Sequence, residues 1–113
     1  MRILNNENKK KILSLLGLAH RARKIITGEE AVLETLRANQ AKLVFVAGDA
    51  SEKTLDNFNR KCFFYHVPVC FELQSDELAQ ALGKALCKIV AVTDQGFFQS
   101  IQEKLNGGEE NEG

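Results

Sequence analysis

The chain has few of the residues that small proteins use for cross-links, and it lacks metal motifs. Its 113 residues include one proline, three cysteines and no tryptophan. Cys62, Cys70 and Cys87 are odd in number and form no CxxC pair, which argues against a disulfide framework and a zinc knuckle. Cys62 and His66 are one helical turn apart, but two ligands make an incomplete site. We therefore expect a buried cysteine beside a surface histidine, with no metal and no cofactor.

Long apolar segments and phosphate-binding loops are also absent. No stretch is apolar for long enough to cross a bilayer, and the first eleven residues are polar and charged, unlike a signal peptide. These absences predict a cytoplasmic protein with no membrane partner. Neither GxxxxGK[ST] nor GxGxxG occurs. Asp49 and Asp94 follow apolar segments, but each also precedes a predicted helix and is explained by N-capping. We expect that the chain is not an enzyme.

The chain has no net charge, because 15 Lys and Arg residues balance 15 Asp and Glu residues. The distribution is uneven, because residues 1–61 hold 12 basic and 7 acidic residues, whereas residues 62–113 hold 3 and 8. Gly107–Gly113, with the sequence GGEENEG, has no apolar residue and is predicted to be a disordered acidic tail. The remaining residues, 1–106, are predicted to form one mildly basic domain.

Apolar periodicity predicts alternating helices and strands. Helices are predicted over residues 5–16, 27–39, 52–65 and 75–83 and from 94 onwards, and strands over residues 43–47, 67–71 and 89–92. Ile25 and Ile26 are a candidate edge strand. Gly17 is predicted to end the first helix, and Thr27 to form a capping box with Glu30 at the second. Uninterrupted apolar strands are covered on both faces, so the expected α/β fold is a single three-layer α/β/α sandwich with a small mixed sheet.

Three co-linear stretches carry a family resemblance. They are LGLAHRARKIITGEEAV at Leu16–Val32, AKLVFVAGDAS at Ala41–Ser51, and CFFYHVPV, ALGKAL and AVTDQGF within Cys62–Phe97. Together they resemble the L-seven-Ae/L-thirty-e superfamily of kink-turn RNA-binding ribosomal proteins, and within it the bacterial YlxQ-type group. The resemblance implies a protein that binds a kink-turn, a bent internal loop with tandem sheared G·A pairs. The expected partner is ribosomal RNA or another structured RNA in a ribosome or ribonucleoprotein particle, together with ribonucleoprotein components.

The resemblance also implies which segments contact RNA. In the family, the start of helix two enters the widened groove at the kink, and the loop before the last core strand packs on a flipped-out base. The expected RNA-binding residues are Arg21, Arg23, Lys24, Thr27, Gly28, Glu29, Glu30, Lys84, Leu86 and Lys88. Physical chemistry agrees with these roles: helix N-termini bind phosphate oxygens, glycine permits close approach, and basic residues neutralise phosphates.

Several of these residues have purely structural alternatives. Leu86 and Ile89 are equally well explained as core residues that flank a strand. Glu29 and Glu30 are explained as carboxylates at a helix start, where they stabilise the helix by roughly 0.3–1 kcal/mol. The three consecutive aromatic residues Phe63–Tyr65 are interpreted as closing the core rather than stacking on bases.

Helix two departs from the family pattern Gly-x-Asn-Glu-x-x-Lys. Gly28 matches, whereas Glu30, Ala31 and Glu34 occupy the other three positions. The strand-end turn carries Gly48 where many members have glutamate. These differences motivate a second hypothesis, a protein-interaction module on the same fold that has lost standard kink-turn binding. A third hypothesis, an enzyme or an enzyme's substrate-binding domain, rests on fold analogy alone.

Overall fold

The computed structural model describes residues 4–106, which contain five helices and four strands. In chain order these are α1 Asn6–Arg21, β1 Ile25–Thr27, α2 Glu29–Arg37, β2 Leu43–Val46, α3 Glu52–Tyr65, β3 Val69–Cys70, α4 Ser75–Leu82, β4 Ile89–Val92 and α5 Gln95–Leu105. The predicted acidic tail lies outside the described residues. Within residues 4–106, no helix has both the length and the apolar character that a membrane span requires.

The four strands form one mixed sheet in the order β1-β4-β2-β3. β4 pairs antiparallel with β1 and β2, and β3 pairs parallel with β2. β1 is the edge strand that Ile25 and Ile26 predict. Every residue of β2 and β4 is buried, as expected for strands covered on both faces. The apolar segment 67–71 contributes only the two residues of β3, at the other edge of the sheet.

Side chains of the two central strands alternate between two buried clusters, one on each face of the sheet. One cluster joins the sheet to α1, α4 and α5 and includes Leu43, Phe45, Val90, Val92, Ile12, Leu16, Leu78 and Ile101. The other joins it to α2 and α3 and includes Val44, Val46, Ile89, Ala91, Val32, Leu36, Phe58 and Cys62. The three-layer α/β/α sandwich predicted from the sequence is therefore confirmed.

The end of α1 differs from the prediction, because Gly17 does not stop the helix. Gly17 is buried where α1 packs on α4, and a Cβ atom at this position would lie 3.0 Å from the carbonyl oxygen of Ala81. The glycine therefore permits close packing of two helices. α1 ends at Arg21, four residues beyond Gly17. The residue with a left-handed backbone conformation is Arg23, with a φ of 64°.

The predicted capping box at the start of α2 is also wrong. Thr27 ends β1, and the N-cap is Gly28, with φ 98° and ψ 149° and no side-chain hydrogen bond. The Gly28 N–H donates to the carbonyl of Ile89 at 3.0 Å, and its own carbonyl accepts from the Val32 N–H at 3.0 Å. Glycine is the residue that adopts this backbone conformation without strain. The first turn of α2 consequently has no side-chain cap over its amide groups.

The two aspartates that follow core strands have different structural roles. Asp94 is the N-cap of α5, and its carboxylate accepts from the Phe97 N–H at 2.9 Å, as predicted. Asp49 does not cap α3, whose N-cap is Ser51. Its carboxylate instead accepts from the Ser75 hydroxyl at 2.6 Å and from the Ser75 N–H at 2.9 Å. Asp49 thereby connects the end of β2 to the first residue of α4.

Candidate nucleic-acid interface

The residues expected to bind RNA are divided between the two ends of the sheet. At one end, here called the Gly28 end, β1 finishes before Gly28 while β4 begins at Ile89, opposite Val46. At the other, the Lys24 end, Lys24 precedes β1 and its carbonyl accepts from the Thr93 N–H, just beyond β4, at 3.0 Å.

Six of the ten expected residues meet in a groove of about 370 Å³ at the Gly28 end. It is lined by Thr27, Gly28, Glu29, Thr54, Lys84, Leu86, Cys87, Lys88 and Ile89. The hydrogen bond from the Gly28 N–H to the Ile89 carbonyl joins its two walls, which are far apart in the sequence. The start of α2 and the loop of residues 83–88 therefore form one surface, as the resemblance implies.

The apolar and basic side chains of the loop point into solvent. Leu86 is 68% exposed, so core packing does not explain it, whereas Ile89 is 5% exposed and belongs to the core. Lys84 and Lys88 are exposed on either side of Leu86. In the described part of the chain neither lysine has an ion-pair partner within 4.0 Å. An exposed leucine between two free cations suits an unstacked base with its neighbouring phosphates.

The acidic residues of α2 lie beside the groove. Glu29 lines it, and Glu30 and Ala31 are exposed in the same turn. The helix dipole favours carboxylates at this position, so their placement agrees with a structural as well as an RNA-binding role. The carboxylate of Glu34 lies 3.3 Å from Nη1 of Arg37, which partly offsets its negative charge.

Asp49 and Ser75 hold the strand end and α4 together beside this groove. The two hydrogen bonds from Ser75 lower the pKa of Asp49, with a smaller contribution from the positive charge of Lys88. Sequence reasoning missed Ser75 and the groove residue Thr54. Neither carries a sequence signal, because both are brought to the site by tertiary packing.

The basic segment before β1 is not part of the groove. Lys24 is four residues before Gly28, and an extended strand separates them by about 13 Å. Arg21 ends α1 and faces α4 beside Glu77 and Gln80. Arg21, Arg23 and Lys24 are all exposed. This segment is therefore not adjacent to the start of α2, because β1 runs between them.

The aromatic residues at the end of α3 also differ from the expectation. Phe63 is 83% exposed and Phe64 is 70% exposed, so neither closes the core. Phe58 and Cys62 occupy the inner face of α3, and the next two positions turn away from it. Only Tyr65 packs against the core, and its ring meets that of Phe64 edge to face at 4.9 Å.

The cysteines have no sign of a reactive or metal-binding role. All three are buried, and desolvation raises the pKa of the Cys62 thiol to about 11. Burial likewise raises the pKa of Cys70 and of Cys87, so the thiols stay protonated at neutral pH. The buried Cys62 beside an exposed His66 matches the expectation. Among residues 4–106, no group of three or more His, Cys, Asp and Glu side chains is placed to hold a metal ion.

Comparison with known proteins identifies the family. The family model described as ribosomal protein L7Ae/L30e/S12e/Gadd45 matches residues 10–102. The chain belongs to this family. It is similar to the RNA-binding protein YlxQ of Enterococcus faecium, with 44% identity over 105 residues, 92% of this chain and 100% of that protein. It is also 45% identical over 92 residues to the RNA-binding protein YlxQ of Bacillus subtilis, 81% of this chain and 92% of that protein.

Solved structures share the fold. A protein of unknown function from Bacillus halodurans superposes with a TM-score of 0.82 at 36% identity, covering 85% of this chain and 97% of that one. A 15.5 kDa RNA-binding protein from Giardia lamblia superposes with a TM-score of 0.80 at 18% identity, covering 97% and 94%, a likeness of fold alone. Both YlxQ relatives are named RNA-binding proteins, in agreement with the expectation of an RNA-binding protein that is not an enzyme.

Proposed function

We propose that this chain is a cytoplasmic RNA-binding protein that recognises a bent, kink-turn-like RNA at the Gly28 end. The observation that carries the proposal is the meeting of an uncapped helix start with the Lys84–Lys88 loop in one groove. The names of the YlxQ relatives support RNA as the class of ligand. The partner is ribosomal RNA or another structured RNA of a ribonucleoprotein particle.

Recognition in this proposal depends on backbone shape. The amides in the first turn of α2 bind phosphate oxygens. Apart from Gly28 and its two chain neighbours, no residue has an atom within 4 Å of the place that a Cβ of Gly28 would occupy, so the nucleic-acid backbone has room to approach. Thr27, Glu29 and Glu30 supply hydrogen-bonding side chains at the kink, and a carboxylate there accepts from the edge of a guanine.

The loop supplies the remaining contacts. Lys84 and Lys88 neutralise phosphates, and Leu86 packs on a base that the bend has unstacked. Arg21, Arg23 and Lys24 lie too far from the groove to contact the same nucleotides. They contribute long-range attraction that guides the RNA toward the protein.

The experiment is a titration of a kink-turn RNA and of the same RNA with its sheared G·A pairs replaced, at two salt concentrations. We expect the protein to prefer the intact kink. Lys84→Ala/Lys88→Ala should weaken binding and reduce the slope of log affinity against log salt by about 1 for each lysine. Lys10→Ala/Lys104→Ala removes the same charge away from the groove and should leave that slope nearly unchanged. Equal binding of both RNAs, or binding of neither, would contradict the proposal.

The alternative is a protein-interaction module that has lost kink-turn binding. The observation that favours it is the surface of α2, where Ala31 is apolar and Glu34 forms an ion pair with Arg37. A lysine at position 34 would instead attract phosphate. Specific capture of a protein that survives nuclease treatment, with no discrimination between the two RNAs, would support this alternative.

A further inference from the structure

The Lys24 end of the sheet carries a row of basic residues. The Lys24 carbonyl accepts from the Thr93 N–H at 3.0 Å, and the Lys42 N–H donates to the carbonyl of Val92 at 2.7 Å. Lys24 and Lys42 therefore flank the end of β4, about two strand spacings or 10 Å apart. The end of α3 lies on the side of Lys42 that faces away from Lys24, because α3 leads into β3 and β3 pairs in parallel with β2.

Two exposed aromatic rings continue this row. Phe63 and Phe64 line an apolar depression of about 700 Å³ together with Asn59, Arg60 and His66. The edge contact with Tyr65, itself packed on the core, supports the Phe64 ring from one side. Burial of a phenylalanine ring is favourable, so these two adjacent exposed rings offer apolar area that a ligand can cover.

The unpaired charges along this end of the sheet are positive. Arg23, Lys24, Lys42 and Lys61 have no ion-pair partner within 4.0 Å among the described residues. The acidic side chains on neighbouring elements are already engaged. Glu34 is paired with Arg37, Asp56 is paired with Arg60, and Asp94 caps α5.

The backbone at this end keeps side chains where glycine is the usual choice. α1, α2 and α3 are each followed by a left-handed residue, and these residues are Arg23, Asn39 and His66, with φ of 64°, 59° and 60°. For most L-residues this conformation is strained. Arg23 and His66 thus keep a guanidinium and an imidazole at the two ends of the row, despite this strain.

We propose that the Lys24 end is a second RNA-binding surface, which takes unpaired nucleotides. Bases stack on Phe63 and Phe64, and phosphates lie along Lys61, Lys42 and Lys24. Base–aromatic stacking next to a basic groove is how proteins hold single strands without reading their sequence. α3 also connects the two surfaces, because Thr54 lines the groove nine residues before Phe63, about 13 Å along the helix.

Charge favours nucleic acid over a second copy of the chain as the occupant. Two copies that met through this surface would bring their unpaired lysines together, which is repulsive. The first and last described residues, Leu4 and Asn106, do not lie at this surface. Leu4 precedes the start of α1 and Asn106 follows the end of α5, whereas Lys24 follows α1 and Asp94 precedes α5.

The test uses a fluorescently labelled oligouridylate of roughly 10 nucleotides, which forms no secondary structure. We expect measurable binding by the full chain, weakened at least about fivefold by Phe63→Ala/Phe64→Ala, as the loss of one stacked base implies. Phe63→Leu/Phe64→Leu keeps the apolar surface but removes the flat rings, and it should weaken binding as well. Lys24→Ala/Lys42→Ala should lower the salt slope by about 0.7 for each lysine.

Leu18→Ala is the matched control, since it removes an exposed apolar side chain of α1 that lines neither the groove nor the depression beside Phe63 and Phe64. It should leave oligouridylate binding unchanged, whereas Phe63→Ala/Phe64→Ala should leave binding of a kink-turn RNA without single-stranded extensions unchanged. Thermal unfolding checks that each variant is folded.

Lack of oligouridylate binding, or binding that both double phenylalanine variants retain, would overturn the second surface. So would a concentration-dependent dimer that sedimentation detects in the wild type and not in Phe63→Ala/Phe64→Ala. Each result leaves the kink-turn titration with Lys84→Ala/Lys88→Ala as a separate test of the groove.

Discussion

The two ends of the sheet obtain their shape in different ways. At the Gly28 end, the unusual backbone conformations belong to glycines, with a φ of 98° at Gly28 and 68° at Gly83, where α4 ends. At the Lys24 end, the positive φ values belong to Arg23, Asn39 and His66. One end therefore presents backbone, while the other presents side chains at positions where glycine would be less strained.

This difference separates the demands of folding from those of binding. Changes to the glycines at the Gly28 end should alter the free energy of unfolding and the binding groove together. Changes at the Lys24 end, where the side chains are exposed, should alter binding without loss of stability. Single substitutions at the two ends put this contrast to the test.

We expect the largest effect on stability from Gly48→Ala. A Cβ at this position would lie 2.7 Å from the carbonyl oxygen of Phe71, so backbone must move. Overpacking of this kind lowers the free energy of unfolding by about 2–3 kcal/mol, which chemical denaturation would measure. The same contact explains why glutamate does not fit here.

Gly96→Ala is the control for this substitution. Its Cβ would lie 3.2 Å from the carboxylate of Asp94, which needs to shift by only a few tenths of an ångström and can keep its hydrogen bond from the Phe97 N–H. Its effect should therefore be clearly smaller than that of Gly48→Ala. Equal effects of the two substitutions would mean that the close approach of Gly48 to Phe71 does not matter.

Gly28→Ala should have the next largest effect. No residue beyond its chain neighbours lies within 4 Å of a Cβ at this position, so the cost is conformational and amounts to about 1–2 kcal/mol in the free energy of unfolding. Kink-turn RNA binding should weaken as well, because the new methyl group occupies the space through which the nucleic acid approaches. Binding and denaturation would be measured on the same preparation, and unchanged binding by the folded variant would place the RNA elsewhere.

Most of the fold follows from local patterns in the sequence. β4 and α3 lie where apolar runs and helix spacing predict them, because both signals depend on neighbouring residues alone. The prediction that Gly17 ends α1 is wrong because this glycine lets α4 approach α1, a contact that no local pattern encodes.

The site could be predicted only in part. The resemblance brought the start of α2 and the loop around Leu86 together, and the groove confirms that they are adjacent. Lys24 is close to Gly28 in the sequence but not in the structure, because three extended residues place the two at opposite ends of the sheet. The exposure of Phe63 and Phe64 was missed because a run of aromatic residues does not show which of them the helix turns outward.

A smaller effect, of opposite sign, should come from Arg23→Gly. Removing the side chain relieves the left-handed strain of about 1–2 kcal/mol, partly offset by the extra freedom of glycine in the unfolded chain. We expect the free energy of unfolding to rise by up to about 1 kcal/mol, while oligouridylate binding becomes weaker and less sensitive to salt. Asn39→Gly, which removes no charge, is the control and should stabilise the protein without lowering the salt dependence. If Arg23→Gly destabilised the protein, the inference that Arg23 is strained at the Lys24 end would be wrong.

The smallest effect concerns the Asp49–Ser75 contact and its dependence on pH. Hydrogen bonds from Ser75 hold the pKa of Asp49 below its ordinary value of 3.8. A carboxyl group with a lowered pKa in the folded state contributes stability above its unfolded pKa and loses it as the pH falls through the folded one. The wild type should therefore be more stable than Asp49→Asn at neutral pH, and the difference should shrink as the pH falls below 3.8. Denaturation of both proteins across this range measures the difference. A stability difference that stays constant with pH would mean that the charge on Asp49 does not hold β2 to α4. The neutral hydrogen bonds and the close packing of Gly48 would then hold them together.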